Sequence, residues 1–318
     1  MPPYACTTND LLDAAKRVRQ FGHLTPVATC ATLDRRAGRE LFFKCEHLQK
    51  AGAFKFRGAV NAVAQVAVEN RPRGVVTHSS GNHAGALALA ARLHGIPAHV
   101  VMPSNASPVK RRAVEEYGGH VVECEPNQAA REATAARVLE ETGGTLIPPY
   151  NHPHVIAGQA SAAIELLEQV PGLDAIVAPV GGGGLVSGTA LAAHFLGHRV
   201  RVFAAEPRGA DDAARSKAAG QFIPQTGPHT VADGLLTSLG DLTWPVVRDL
   251  VERVVTVTEE EIVGSMRLAW ERAKLLIEPS SAVAVAAVLS EEFRALPGLR
   301  RVGVILSGGN VNLEALPW

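Results

Sequence analysis

Gly181, Gly182, Gly183 and Gly184 follow the apolar run DAIVAPV and open the helical pattern LVSGTALAAHFL. Four unhindered backbone N–H groups at a helix N-terminus form an anion cradle, and a phosphate is the guest that close backbone approach and the helix dipole favour. The spacing fits neither the dinucleotide fingerprint G-x-G-x-x-G nor the P-loop, so the phosphate belongs to another kind of ligand. The alternative is a tight strand-to-helix turn that holds nothing.

Lys55 stands between Phe54 and Phe56 just before a helical run. An amine held among apolar neighbours loses its proton more readily, as Schiff-base chemistry requires, although most lysines are solvated surface charges. Ser79, Ser80, Gly81, Asn82 and His83 join the strand-like GVVTH to AGALALAARLHG, so hydroxyls and an amide gather at a second strand end and can bind a carboxylate. An ordinary helix cap is the plainer reading. Ser307, Gly308, Gly309 and Asn310 end the last strand-like run, VGVIL, and place another hydroxyl where α/β folds bind ligands. Glu206 closes RVFAAE and Asp212 follows, so two carboxylates and a backbone carbonyl could hold a hard divalent cation, or the two acids could be solvated surface groups. No zinc-type histidine pair is present, and His152 and His154 beside Pro153 read as loop residues.

Short β-branched runs alternate with Ala/Leu-rich stretches of helical period, which predicts an α/β fold built from βα units around parallel sheets. Strands are expected at 41–45, 74–78, 99–102, 120–124, 175–179, 201–205, 253–257 and 302–306. Helices are expected at 58–68, 82–93, 107–117, 128–141, 155–170, 185–196, 259–276 and 280–293, with 221–245 loop-rich. Turn-rich clusters at 69–74 and 148–153 read as crossings between a large domain (1–72 and 152–318) and a small one (73–151).

The 318 residues carry 31 basic and 31 acidic side chains, a net charge of +0, which argues against nucleic acid as a partner. A hydrophobic share of 47% suits a folded chain, and no apolar run approaches the ~20 residues of a membrane span. The N-terminus lacks the apolar core of a signal peptide. Cys6, Cys30, Cys45 and Cys124 are widely spaced, as free thiols of a cytoplasmic protein would be.

Taken in order, the lysine between phenylalanines, SSGNH, the tetraglycine loop and SGGN resemble the fold-type II pyridoxal-phosphate enzymes, in the branch of serine racemases and threonine/serine dehydratases. EPRGADD, VADG, TWPVVRDLV, TVTEEEI, ERAKLLIEPSSAVAVAAVL and ILSGGNVNL extend the resemblance over nearly the whole chain. It implies a two-domain architecture like that of the tryptophan synthase β chain, with twisted, mostly parallel sheets flanked by helices. It also implies pyridoxal 5'-phosphate as cofactor, magnesium (or calcium or manganese) as a divalent cation, a small amino-acid substrate and a homodimer.

Position by position, Lys55 resembles the cofactor-anchoring lysine and Phe54 its neighbour at the cofactor. Gly181 to Gly184 match the phosphate loop, Asn82 the partner of the phenolic oxygen, and Ser307 the partner of the pyridine nitrogen. Ser79, Ser80, Asn82 and His83 match the substrate-carboxylate loop, Arg131 and Thr237 further substrate contacts, and Glu206, Asp212 and the Ala210 carbonyl the cation site. The implied reaction is loss of the β-hydroxyl from serine, threonine or 3-hydroxyaspartate followed by hydrolysis to a keto acid and ammonia, with Lys55 removing the α-proton. Ser80 returning a proton would instead invert the amino acid; racemisation is either a companion or the principal activity.

Two positions depart from the family pattern: Ala53 replaces a serine, and Tyr150 stands where racemases have asparagine. With the chain ending at Trp318, an appended regulatory domain and isoleucine feedback are not expected. Competing readings are a β-replacement enzyme, which SSGNH disfavours, a non-enzymatic pyridoxal-phosphate carrier, and a structural nucleotide-binding domain.

Overall fold

The computed structural model describes residues 4–79, 81–106, 108–197 and 199–318. Its strands are β1 (Val27–Ala28), β2 (Glu40–Cys45), β3 (Val75–His78), β4 (Ala98–Pro103), β5 (His120–Cys124), β6 (Thr145–Leu146), β7 (Ala175–Pro179), β8 (Arg201–Pro207), β9 (Arg253–Val257) and β10 (Arg301–Leu306). They form a six-stranded sheet in the order β1-β2-β10-β7-β8-β9 and a four-stranded sheet in the order β5-β4-β3-β6. Every pairing is parallel except β1 with β2. The α/β class expected from the alternating runs is therefore the class observed.

The helices are α1 (Thr8–Phe21), α2 (Ala31–Ala37), α3 (Lys55–Ala64), α4 (Asn82–Leu93), α5 (Pro108–Glu116), α6 (Gln128–Thr142), α7 (Pro153–Gln169), α8 (Gly184–Leu196), α9 (Asp212–Ala219), α10 (Trp244–Leu250), α11 (Glu259–Leu268), α12 (Pro279–Leu289) and α13 (Glu291–Arg294). Local chemistry sets several starts. Thr7 and Asp10 close a reciprocal capping box on α1, whose Leu11, Ala14, Ala15 and Val18 then share one buried stripe. Thr258 and Glu261 do the same for α11. All five residues of β7 are buried, as a central parallel strand requires. Among the described residues, no helix is long and apolar enough to cross a membrane.

Three helix expectations are corrected. The one placed at 58–68 starts at Lys55 and ends at Ala64, so the lysine is the first residue of α3 and not part of the approach to it. The one placed at 259–276 ends at Leu268 and passes into a π turn, Ala269–Ala273, closed by Lys274 in the left-handed region at φ 60°. There the Trp270 indole N–H donates to the Ile277 carbonyl at 3.0 Å and draws the chain back. The one placed at 280–293 breaks at extended Ser290, whose hydroxyl accepts from Phe293 N and starts α13. His152 and His154 are not loop residues either: His152 caps α7, its ring nitrogen accepting from His154 N at 3.2 Å.

Beneath α3 lies a cluster of charges shut away from water. Arg57 donates to both oxygens of Glu46, at 2.6 and 2.8 Å, and to both oxygens of Glu165, at 2.8 and 2.7 Å. Lys44 adds a bond to Glu165 at 2.7 Å and further bonds to the Thr25 carbonyl and Gln169. All four charged residues are buried, and two cations face two carboxylates. The cluster ties the end of β2 and the middle of α7 to the first turn of α3. Removing one partner leaves buried charge uncompensated, so Arg57→Met is expected to destabilise the cofactor-free protein by about 3–5 kcal/mol. Urea unfolding measures this; a loss within the scatter of surface substitutions would show that the cluster bears no such load.

Candidate active site

Because the strands are parallel, their carboxyl ends gather the predicted residues on one side of each sheet. Ser79 follows β3, the glycine loop follows β7, Ala210 follows β8 and Ser307 follows β10. Lys55 is fixed from two directions. Phe54 N donates to the Ser307 carbonyl at 2.9 Å, and Ala53 bridges Gly308, so the residues before the lysine run beside the end of β10. On the next turn Gly58 N donates to Gln159 at 3.0 Å. Ala53, where the family has serine, is fully buried in this bridge.

The Lys55 amine donates to the Pro149 carbonyl at 2.7 Å and lies 5.1 Å from the centre of the Phe54 ring. The residue as a whole is half-buried, while protein surrounds its amine. Burial there disfavours the ammonium form and lowers the pKa to about 8, against a smaller opposing pull from Glu278. Phe56 instead faces the core and is fully buried. The lowered proton affinity thus comes from the surroundings of the amine as a whole rather than from two flanking rings.

One residue beyond Pro149, the Tyr150 ring lies on the glycine loop: a Cβ at Gly182 would come within 2.3 Å of it. Gly183 is left-handed, at φ 86°. The four loop glycines are buried, yet among the described hydrogen bonds none uses the N–H of Gly181, Gly182, Gly183 or Gly184 as donor. The first amide past the loop with a protein partner is Ser187 N, on the Gly183 carbonyl at 2.8 Å. Buried N–H groups are seldom left unpaired, and these converge at the N-terminus of α8, so the cradle fits an anionic group such as phosphate. The segment 149–150 thus touches the amine at one end and the cradle at the other.

Asn82 begins α4 and crosses to the other sheet. Its amide N–H donates to Glu278 at 2.7 Å, and its carbonyl accepts from Asn310 at 2.9 Å, while Asn310 also donates to the Ala51 carbonyl at 2.8 Å. One amide hydrogen of Asn82 stays free for a ligand oxygen. The Ser79 hydroxyl accepts from Gly81 N at 3.3 Å, and Ser80 lies outside the described residues. His83 is buried, its Nε2 set 3.0 Å from the Ile147 carbonyl, and burial pushes its pKa down to about 3. It is neutral at working pH, so it brings no positive charge to a carboxylate.

Arg131 on α6 has its Nε buried without a hydrogen-bond partner, and its charge helps lower the pKa of His78, at the end of the strand that leads into Ser79. Thr237 sits beside the Tyr150 hydroxyl. A cavity of about 560 Å³ opens past Asn82, between Lys110, Tyr117, Asp233 and Asn310, but neither Lys55 nor the glycine loop lines it.

Glu206 and Asp212, which could have been surface acids, are both buried. The Glu206 oxygens accept from Ala213 N at 3.0 Å and Ala214 N at 2.8 Å; Asp212 accepts from Leu239 N at 3.1 Å, and its other oxygen has no partner. Burial raises Glu206 to about 9 and Asp212 to about 6 against these bonds, with mutual repulsion adding to the rise at Glu206. Two hard oxygen donors with an orphaned lone pair suit a divalent cation, although among the described residues no cluster of three or more His, Cys, Asp or Glu is present.

Glu278 was not singled out from sequence. It is almost fully buried, and burial raises its pKa to about 7, with one oxygen on Asn82 and the other unpartnered. Its sequence signal is weak: an acid immediately before Pro279, the first residue of α12.

Parallel sheets that carry a lysine with an enclosed amine and a glycine loop of unpartnered N–H groups define the class of this protein as an enzyme. Residues 18–308 match the family model described as "Pyridoxal-phosphate dependent enzyme", and the chain belongs to that family. It is 52% identical to a serine racemase of Arabidopsis thaliana over 98% of this chain and 96% of the relative. It is 50% identical to a beta-hydroxyaspartate dehydratase of Paracoccus denitrificans, with 99% of each chain covered. The structure of maize serine racemase superposes with a TM-score of 0.96 at 49% identity, covering 98% of this chain and 95% of that one.

Borohydride trapping of pyridoxal 5'-phosphate on cofactor-free protein should report the Lys55 amine. Its rate is expected to rise with pH around a midpoint of about 8, because burial favours the neutral nucleophile, where an ordinary lysine would give 10.5. A midpoint left at the ordinary value would contradict the burial described.

Proposed function

We propose that the protein is a pyridoxal-phosphate-dependent dehydratase of small β-hydroxy amino acids, with serine racemisation as a second outcome at the same site. The observation that carries this is the buried Lys55 amine joined through Pro149 and Tyr150 to a cradle of unpartnered glycine N–H groups. The cofactor, when bound, supplies an electron sink that acidifies the substrate's α-proton.

Lys55, whose pKa burial lowers to about 8, would serve as the base that removes the α-proton. Asn82 offers its free amide hydrogen to the phenolic oxygen, and the Ser307 hydroxyl meets the pyridine nitrogen. A neutral hydroxyl there does not enforce a protonated ring, which suits elimination and proton exchange. Ser79 and the backbone N–H groups at Asn82 and the start of α4 hold the substrate carboxylate, with Arg131 and Thr237 as further substrate contacts. Loss of the β-hydroxyl leads on hydrolysis to a keto acid and ammonia; a proton returned by Ser80 instead yields the other enantiomer.

In the same reading the two sheets belong to a small domain, 73–151, and a large cofactor-binding domain, 1–72 with 152–318. Glu206, Asp212 and the Ala210 carbonyl take magnesium or a similar divalent cation. A homodimer is part of the proposal, supported by exposed Leu24 and Leu48, whose neighbourhoods meet where His23 contacts the Leu48 carbonyl. A reducing, cytoplasmic setting suits the four free cysteines.

The test incubates the purified protein, with magnesium, separately with L-serine, L-threonine and 3-hydroxyaspartate, and measures keto acid and the opposite enantiomer together. Keto acid is expected to dominate with at least one substrate. Ser80→Ala should lower racemisation by roughly 100-fold or more while elimination persists, the effect of losing a positioned acid. Excess enantiomer from L-serine would make racemisation the principal activity, and neither product from any substrate would overturn the proposal.

A further inference from the structure

We propose that Thr243 is a positioning residue of the phosphate cradle: its buried hydroxyl holds the Gly182–Gly183 peptide so that the N–H faces the anion. The proposal rests on reading the glycine loop as the cofactor's phosphate site. In a planar trans peptide the C=O and the next N–H point in opposite directions, so fixing one aims the other. The Thr243 hydroxyl lies 2.9 Å from the Gly182 carbonyl. It accepts from Gly240 N at 2.8 Å, which orients its lone pair toward 240. A hydroxyl has one proton, and the competing Gly240 carbonyl is farther away, at 3.3 Å, so the proton goes to Gly182.

Position and packing point the same way. Thr243 occupies the N-cap of α10, where a threonine hydroxyl would ordinarily accept from the helix's own first turn, but it makes no such bond. Its hydroxyl is directed to the glycine loop instead. It is fully buried, and a Cβ at left-handed Gly183 would lie 2.8 Å from its own Cβ, so the threonine backs the loop directly. The segment that carries it is tied to the residue after Tyr150: Asn151 accepts from Leu242 N at 3.0 Å and donates to Asp241 at 2.6 Å.

Thr243→Val removes the donor at nearly constant volume, and Thr243→Ser keeps it. Cofactor-free protein is titrated with pyridoxal 5'-phosphate and, separately, with pyridoxal, which lacks the phosphate; melting temperatures are recorded alongside. In the valine variant, affinity for the phosphorylated aldehyde should fall by roughly tenfold or more, as for loss of one buried hydrogen bond, with pyridoxal binding unchanged. The serine variant should bind both as the parent does. Unaltered binding of the phosphate by the valine variant would overturn the proposal, as would equal losses for both aldehydes or a serine variant as weak as valine. Should the valine variant not fold, Thr243→Ala is read by the same comparison. A parent protein that holds pyridoxal 5'-phosphate no more tightly than pyridoxal would refute the phosphate site itself, whatever the variants do.

Discussion

Two cations and two carboxylates, sealed from water and bonded to one another, hold the first turn of α3 against β2 and α7. Arg57 is the centre of this cluster, two residues after the catalytic lysine of the proposed site, and it reaches Glu46 and Glu165 with both edges of its guanidinium. Bidentate geometry restricts the rotation of the helix about its axis, which in turn sets the direction in which Lys55 leaves the backbone. Such clusters add little net stability compared with apolar packing, but they tolerate only one arrangement, since any slip leaves buried charge unpaired.

With α3 fixed, the lysine amine is delivered to a site whose other parts come from distant chain segments. The end of β10 runs beside Ala53 and Phe54, Pro149 receives the amine, and Tyr150 lies on the glycines. The two ends of a phosphorylated aldehyde, its carbonyl carbon and its phosphate, thus have complementary partners before any ligand arrives. From the second sheet α4 reaches in through Asn82, which is bonded to Glu278 and Asn310 of the first. Lys110 of α5 and Asp233 form a further ion pair between these two parts. Preorganised polar groups of this kind need little rearrangement when charge moves during a reaction.

The parts of this arrangement that a sequence displays are those written in adjacent residues. The strands at 120–124, 175–179 and 253–257 and the helix at 82–93 match residue for residue, because short β-branched or apolar runs mark the strands and Gly81-Asn82 marks the start of the helix. The tetraglycine turn and the lysine flanked by aromatics were legible for the same reason. Arg57 and Glu165 are 108 residues apart and Asn82 and Glu278 are 196 apart, so neither pairing leaves a local trace. The break after Leu268 is accompanied by a left-handed Lys274 and an indole hydrogen bond to Ile277, which no periodicity encodes. Helices α2, α9 and α10, of seven or eight residues, are too short to show a period at all.

The most direct measurement of the central claim is a crystal structure of the protein grown with pyridoxal 5'-phosphate. The cofactor carbon should be joined to the Lys55 nitrogen, with phosphate oxygens at hydrogen-bonding distance from the N–H groups of Gly181 to Gly184 and the ring lying between them. A cofactor linked to another lysine, or a phosphate held away from the glycine loop, would contradict it.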